Sequence, residues 1–147
     1  MGVKVAGTIH LVKLCVGAAT VEDLENWQKM RAQGAADYQP RHVTRMWPKR
    51  AEDLLNGGSL YWVFKGLILA RQPILRLDEV IGDDGIRRCG IVMQRQIIRT
   101  QPAPRRPFQG WRYLAPQDAP PDLPPGRSGE DPLPAPLSAA LSEIGIL

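Results

Sequence analysis

Two histidines and two cysteines, His10, His42, Cys15 and Cys89, are the side chains best able to ligate a metal or drive nucleophilic catalysis. Their spacing contains neither C-x-x-C nor H-x-x-x-H, the patterns a structural zinc site ordinarily carries. No metal or other cofactor is therefore expected. No G-x-S-x-G, H-E-x-x-H or G-x-x-x-x-G-K-[ST] occurs either. The chain thus lacks the elbow, zinc helix and phosphate-cradling loop that those words encode. Asp78-Glu79 and Asp83-Asp84 could pair carboxylates for acid–base work, but they flank a turn and read as solvated. Catalytic residues stay unassigned, and whether the chain is an enzyme stays open.

A denser constellation is basic and aromatic. Arg45, Trp47, Lys49 and Arg50 stand in RMWPKR, followed by Tyr61, Trp62, Lys65 and Arg71. A later segment, PAPRRPFQGWRYL, adds Arg105, Arg106, Phe108, Trp111, Arg112 and Tyr113. Aromatic rings offer flat faces to bases, and arginine offers phosphate contacts and cation–π stacking. Arg45, Trp47, Lys49, Arg50, Lys65, Arg71, Arg105, Arg106, Trp111 and Arg112 are the candidate nucleic-acid-binding residues, with Arg45, Lys49 and Arg50 expected to form one wall of a polyanion-binding surface and Arg105, Arg106 and Arg112 the other. The competing reading makes Trp47, Trp62, Phe64 and Trp111 core, because a small chain places most of its aromatics inside. The arginines resist that reading, since arginine is rarely buried unpaired.

The elements that must position these residues are legible in outline. Thr8–Val16, TIHLVKLCV, is short and apolar on both sides, as a central strand is. Thr20 with Asp23 forms a capping box for a helix over 21–33, with Val21, Leu24, Trp27 and Met30 as its apolar face. His42–Trp47 reads as a strand, and Pro48 opens a short helix that Gly57-Gly58 ends. Ser59–Phe64 is a strand, Gly66 a bend, and Pro73 separates 67–69 from a strand at 74–80. Gly82-Asp83-Asp84-Gly85 is a hairpin turn into a strand at 86–93, with one more at 97–100. The fold expected is α+β: five or six mostly antiparallel strands in a bent sheet or partly closed barrel, with two outer helices.

The 147 residues suit one domain, here residues 1–114. Those residues carry 18 of the 19 basic and 10 of the 15 acidic side chains, a balance of +8. Residues 115–147 carry −4 and hold eight prolines between 115 and 136, which predicts a mobile acidic tail dispensable for folding. A short amphipathic helix could close it over 138–146, using Leu137, Leu141 and Ile144. No apolar run is long enough to span a membrane. The start has no signal-peptide pattern, and two cysteines are too few for a disulfide framework, so free thiols and a cytoplasmic location are expected. Such a charge balance favours a polyanion such as RNA as partner. A protein–protein interaction module and a small enzyme with an uncommon site are the alternatives.

Two long words, RMWPKRAEDLLNGGSLYWVFKG at 45–66 and PRRPFQGWRYL at 104–114, carry a family resemblance. On them the chain resembles the uncharacterised bacterial family called domain of unknown function 1489, typical of alphaproteobacteria, over about residues 8–123. That family implies no activity, substrate or catalytic residue. PKRAEDLLNGG followed by a β-rich run also looks like the helix, glycine and strand of the PUA and ASCH families, small barrels often associated with RNA. The ASCH pattern has a lysine and a Glu-x-Arg where Ser59-Leu60-Tyr61-Trp62 stands here. Only the architecture is implied.

Overall fold

The computed structural model describes residues 7–124, together with two short strands further on. The chain runs β1 (His10–Leu14), α1 (Val21–Ala32), β2 (Arg41–Thr44), α2 (Ala51–Leu54), β3 (Ser59–Phe64), β4 (Leu67–Ile81), β5 (Arg87–Met93), β6 (Ile98–Pro104) and β7 (Trp111–Leu114). A single 3₁₀ turn (Pro116–Asp118) follows. Strands β8 (Ser142–Glu143) and β9 (Gly145–Ile146) pair with each other in parallel. Apart from those two strands, the terminal helix expected over 138–146 lies outside the described residues.

β1 to β7 form one mixed sheet in the order β2-β5-β4-β3-β1-β7, with β6 alongside β4. The sheet is bent and open, with two helices, so the α+β expectation holds. There are seven strands in it, more than expected, and β1 pairs with β3 in parallel. That parallel pair exists because β1 and β3 are joined by a long crossover containing both helices, not by a hairpin.

β4 explains much of the shape. It runs unbroken through Pro73, where a strand break was expected. Its first half pairs with β3 on one side and β6 on the other, and its second half pairs with β5. Pro73 sits at the changeover, opposite the 94–97 connection between β5 and β6, and its carbonyl accepts from Gln94 N–H at 2.9 Å. The N–H that proline lacks would face that gap, so the ladder loses little. Gly66 is not a bend within a strand. With Lys65 it makes the β3–β4 turn, both at positive φ (85° and 50°), as a tight hairpin turn requires.

Strand alternation builds two apolar layers. Leu11, Leu60, Trp62, Phe64, Ile91 and Trp111 face one side and pack with Val21 and Leu24 of α1 and Leu54 of α2. Val12, Tyr61, Val63, Ile68 and Leu114 face the other and are covered in part by Phe108 and Ala119. These are called the first and second faces below. Gly58 admits no side chain, because a Cβ there would run into the backbone carbonyls of Ile9 and Leu54.

α1 begins as expected: Thr20 accepts from the Asp23 N–H, and the Asp23 carboxylate accepts from the Thr20 N–H. Its buried stripe differs. Val21, Leu24, Gln28 and Ala32 are inside, whereas Trp27 and Met30 are exposed. Gln28 displaces them because Gln72 waits beneath it. The Gln72 carboxamide oxygen accepts from Gln28 Nε2 and Trp62 Nε1, both at 3.0 Å, and its Nε2 donates to Gln28 Oε1 and the Gln94 carbonyl. A buried amide so fully satisfied locks the helix to β3 and β4.

The proline-rich stretch meets the sheet at residues 121–123. Thr100 bridges Asp122, Gln101 N–H donates to the Pro121 carbonyl, and Leu123 N–H donates to the Arg99 carbonyl. A mobile tail from 115 onward was expected. At 121–123 the chain instead lies along the edge of β6, because a proline-rich segment still offers backbone groups to a strand edge.

Candidate nucleic-acid interface

The ten candidate residues separate into three environments. The first is core. Trp111 is 4% exposed, and its indole N–H donates to the Met46 carbonyl at 3.0 Å. It presents no face to a ligand, so the stacking role expected for it gives way to the core reading. Trp62 and Phe64 are likewise buried. Trp47 is half-buried against the first-face core, with the Arg87 guanidinium 4.1 Å from its ring centroid. Its ring is already stacked.

The second environment is the ion pair. Arg71 holds Asp122 through two 2.8 Å bonds and donates to Ser59 Oγ at 2.8 Å. The Asp122 carboxyl is held below its usual range chiefly by that hydrogen bonding. Arg50 bonds Asp53, while its backbone N–H donates to the Tyr113 hydroxyl. Arg76 pairs with Asp78, Arg87 with Glu79, Arg88 with Asp84, and Arg99 with Glu22 and Glu25. These pairs engage Asp78, Glu79 and Asp84, three of the four carboxylates that could have done acid–base chemistry around the 82–85 turn. Asp84 is held well below the usual carboxylate range by its hydrogen bonds from Arg88 and the Ile86 N–H.

The third environment is unpaired. Among the described residues, Lys65, Arg105, Arg106 and Arg112 have no carboxylate partner. Arg105 and Arg112 lie over the same Phe108 ring, at 5.6 and 5.4 Å from its centroid. Arg105 N–H donates to the Gly66 carbonyl at 2.8 Å, which brings it beside Lys65. Arg112 donates to the Gln109 and Trp111 carbonyls. Phe108 was part of the constellation but not a candidate site residue. It stands three residues after Arg105 and four before Arg112, and that both guanidiniums fold onto its ring is what the sequence alone does not show.

Arg45 and Lys49 are also exposed without carboxylates, but they lie elsewhere. Their loop packs on the first face, where Trp111 and Tyr113 reach it. Arg112 projects from the alternate position of the same strand, with the second-face residue Val12 as its partner in register. The two arginine segments therefore border β7 from opposite faces. They do not face each other as two walls.

The cysteines are both free, Cys89 buried and Cys15 half-buried. Burial pushes each thiol up to about 11, which leaves little thiolate for nucleophilic or ligand chemistry. No described helix is long and apolar enough to cross a membrane.

Fold and site together define an α+β domain with a bent, open sheet and a cationic, aromatic patch at one end. The chain belongs to the DUF1489 family, described as a protein of unknown function, whose family model matches residues 11–147. The match runs through the proline-rich segment, beyond the limit near 123 that the resemblance covered. No match was found among curated proteins, and none among solved structures.

Proposed function

We propose that this domain binds nucleic acid, with single-stranded RNA the leading partner, through Lys65, Arg105, Arg106 and Arg112 around Phe108. The observation that carries the reading is selective pairing. Six arginines elsewhere in the described chain have carboxylates, whereas these four cations have none, and two of them, Arg105 and Arg112, share the Phe108 ring. Unpaired cations beside a ring suit a phosphate backbone with a stacked base. The +8 balance of residues 1–114 points the same way. In this reading the bacterial, cytoplasmic setting supplies the RNA.

An anisotropy titration with short RNA and DNA at several salt concentrations tests it. Binding that neutralises phosphates should weaken with a log–log slope of about −0.7 per contact for a single strand. Arg105→Ala with Arg106→Ala should flatten that slope by about one to two units. No binding by folded protein at tens of micromolar and about 50 mM salt would overturn the reading. A protein partner is the second reading, favoured by exposed Val16, Trp27 and Met30 along one side of α1.

A further inference from the structure

The outer face of α1 is apolar where a surface helix is ordinarily polar. Gln28 turns inward to Gln72, and the helix is rotated so that Trp27 and Met30 point outward, 48% and 73% exposed. Val16, in the loop before the helix, is 81% exposed. These three side chains surround one depression of about 480 Å³, which Ala18 and Asn26 also line. Apolar side chains exposed singly are ordinary, but several around one hollow mark an interaction surface.

The charges on this face say what fits it. Asp23 and Arg31 stand four residues before and four after Trp27, roughly 6 Å to either side along the helix. Both are exposed. Asp23 serves the helix cap through Oδ2 alone, which accepts from the Ala19 and Thr20 N–H groups. The Arg31 guanidinium lies 4.3 Å from the Trp27 ring centroid and has no carboxylate partner among the described residues. An anion and a cation set symmetrically about an apolar centre complement the same surface turned end for end. In a two-fold contact, residue i of one copy meets j of the other, and j meets i. Two antiparallel α1 helices centred on Trp27 therefore bring Asp23 of each copy to Arg31 of the other. The same geometry sets the partner's Met30 level with Leu24, over the depression beside Val16. A parallel approach would oppose like charges at both positions.

We propose that two copies of this chain associate through α1, antiparallel about a two-fold axis at Trp27, with Met30 of each in the depression of the other and two Asp23–Arg31 pairs across the axis. α1 covers the first face and Phe108 lies on the second, so the contact leaves both cationic patches open. One helix face buries less than the roughly 1,600 Å² of a standard interface, which makes the dimer a weak one, with a Kd of about 0.1 mM.

The test uses the full chain without RNA. Sedimentation velocity between about 10 µM and about 1 mM should follow a rise from monomer toward dimer. In ¹⁵N-labelled protein, dilution over the same range should shift the amide signals of 16–31 and leave those of 105–112 in place. Trp27→Ala removes the centre of the contact and should weaken association about tenfold. Arg31→Glu opposes like charges across the axis and should weaken it as much, whereas Arg31→Lys, which keeps the charge, should retain the dimer. These are exposed positions, and Met30→Glu takes the place of Trp27→Ala if that variant fails to fold. A chain that stays monomeric up to about 1 mM overturns the proposal and leaves this face to a different protein. A dimer whose affinity is unchanged by Trp27→Ala or by Arg31→Glu overturns it as well. Arg105→Ala with Arg106→Ala should leave the association unchanged, which keeps its outcome distinct from that of RNA binding.

Discussion

Burial holds the His42 imidazole at about 4, with the nearby Lys13 charge pushing the same way. A histidine in the unfolded chain protonates near 6.5. Between those two values the unfolded state takes up a proton that the folded state refuses, so stability falls as pH drops through the window and levels off for this group below it. The loss should be of order 2 kcal/mol once screening at a partly exposed site is allowed for. Urea unfolding at about pH 7 and pH 4.5 measures it, and His42→Phe should remove most of the difference. An unchanged difference in His42→Phe would place the effect elsewhere. His10 is lowered as well, by burial first and Arg71 second, and adds a loss of the same sign. The variant is therefore needed to separate the two. The presence of two histidines was plain in the sequence; their burial was not, because it depends on which face of β1 and β2 turns inward, and a strand's two faces exchange with a one-residue shift of register.

At the scale of elements, local chemistry was readable and distant chemistry was not. The Thr20–Asp23 cap, the 82–85 turn and the aromatic, β-rich β3 follow from neighbours in sequence, and the structure has each of them. The apolar stripe of α1 was misjudged because Gln28 finds Gln72 at a separation of 44 residues. Lys65-Gly66 resembled a strand interruption and is a turn, since the strand on its far side continues through Pro73. The proline-rich segment illustrates the same limit. Its composition says that it cannot enter a sheet interior, and says nothing of an edge. Asp122 reaches Arg71 across 51 residues, with Pro120 buried beside it. Truncation after Pro116 should accordingly lower Tm by about 3–8 °C, as loss of about 1–2 kcal/mol does in a domain of this size. Asp122→Asn in the full chain should give part of that drop, and hydrogen exchange at 99–101 should quicken in both. A melting temperature unchanged by the truncation would mean that this segment contributes nothing to the fold.

At the scale of the molecule, the surplus of arginine was legible but its allocation was not. Arg50, Arg76 and Arg88 find carboxylates within four residues, but partners such as Glu22 for Arg99 and Asp122 for Arg71 lie 77 and 51 residues away, beyond any local pattern. The sequence suggested two basic walls facing each other. The β7 edge separates them instead, with Arg45 and Lys49 on the first-face side and Arg105, Arg106 and Arg112 toward the second. That separation makes a prediction about how nucleic acid lies on the domain. A single strand of about six nucleotides extends over a patch of one face, and a longer one could cross the edge. With the short RNA, Arg45→Ala with Lys49→Ala should leave the salt slope within about half a unit of the parent, while Arg105→Ala with Arg106→Ala flattens it by about one to two. With an RNA of about 20 nucleotides, flattening by both pairs would mean that the strand wraps β7 and recruits both segments. Equal flattening already with the short RNA would mean that the segments act as one surface, and would reject the separation argued from the alternation of Trp111 and Arg112. Flattening by neither pair, with binding retained, would move the interface away from the arginines altogether and leave Phe108 without a role in it.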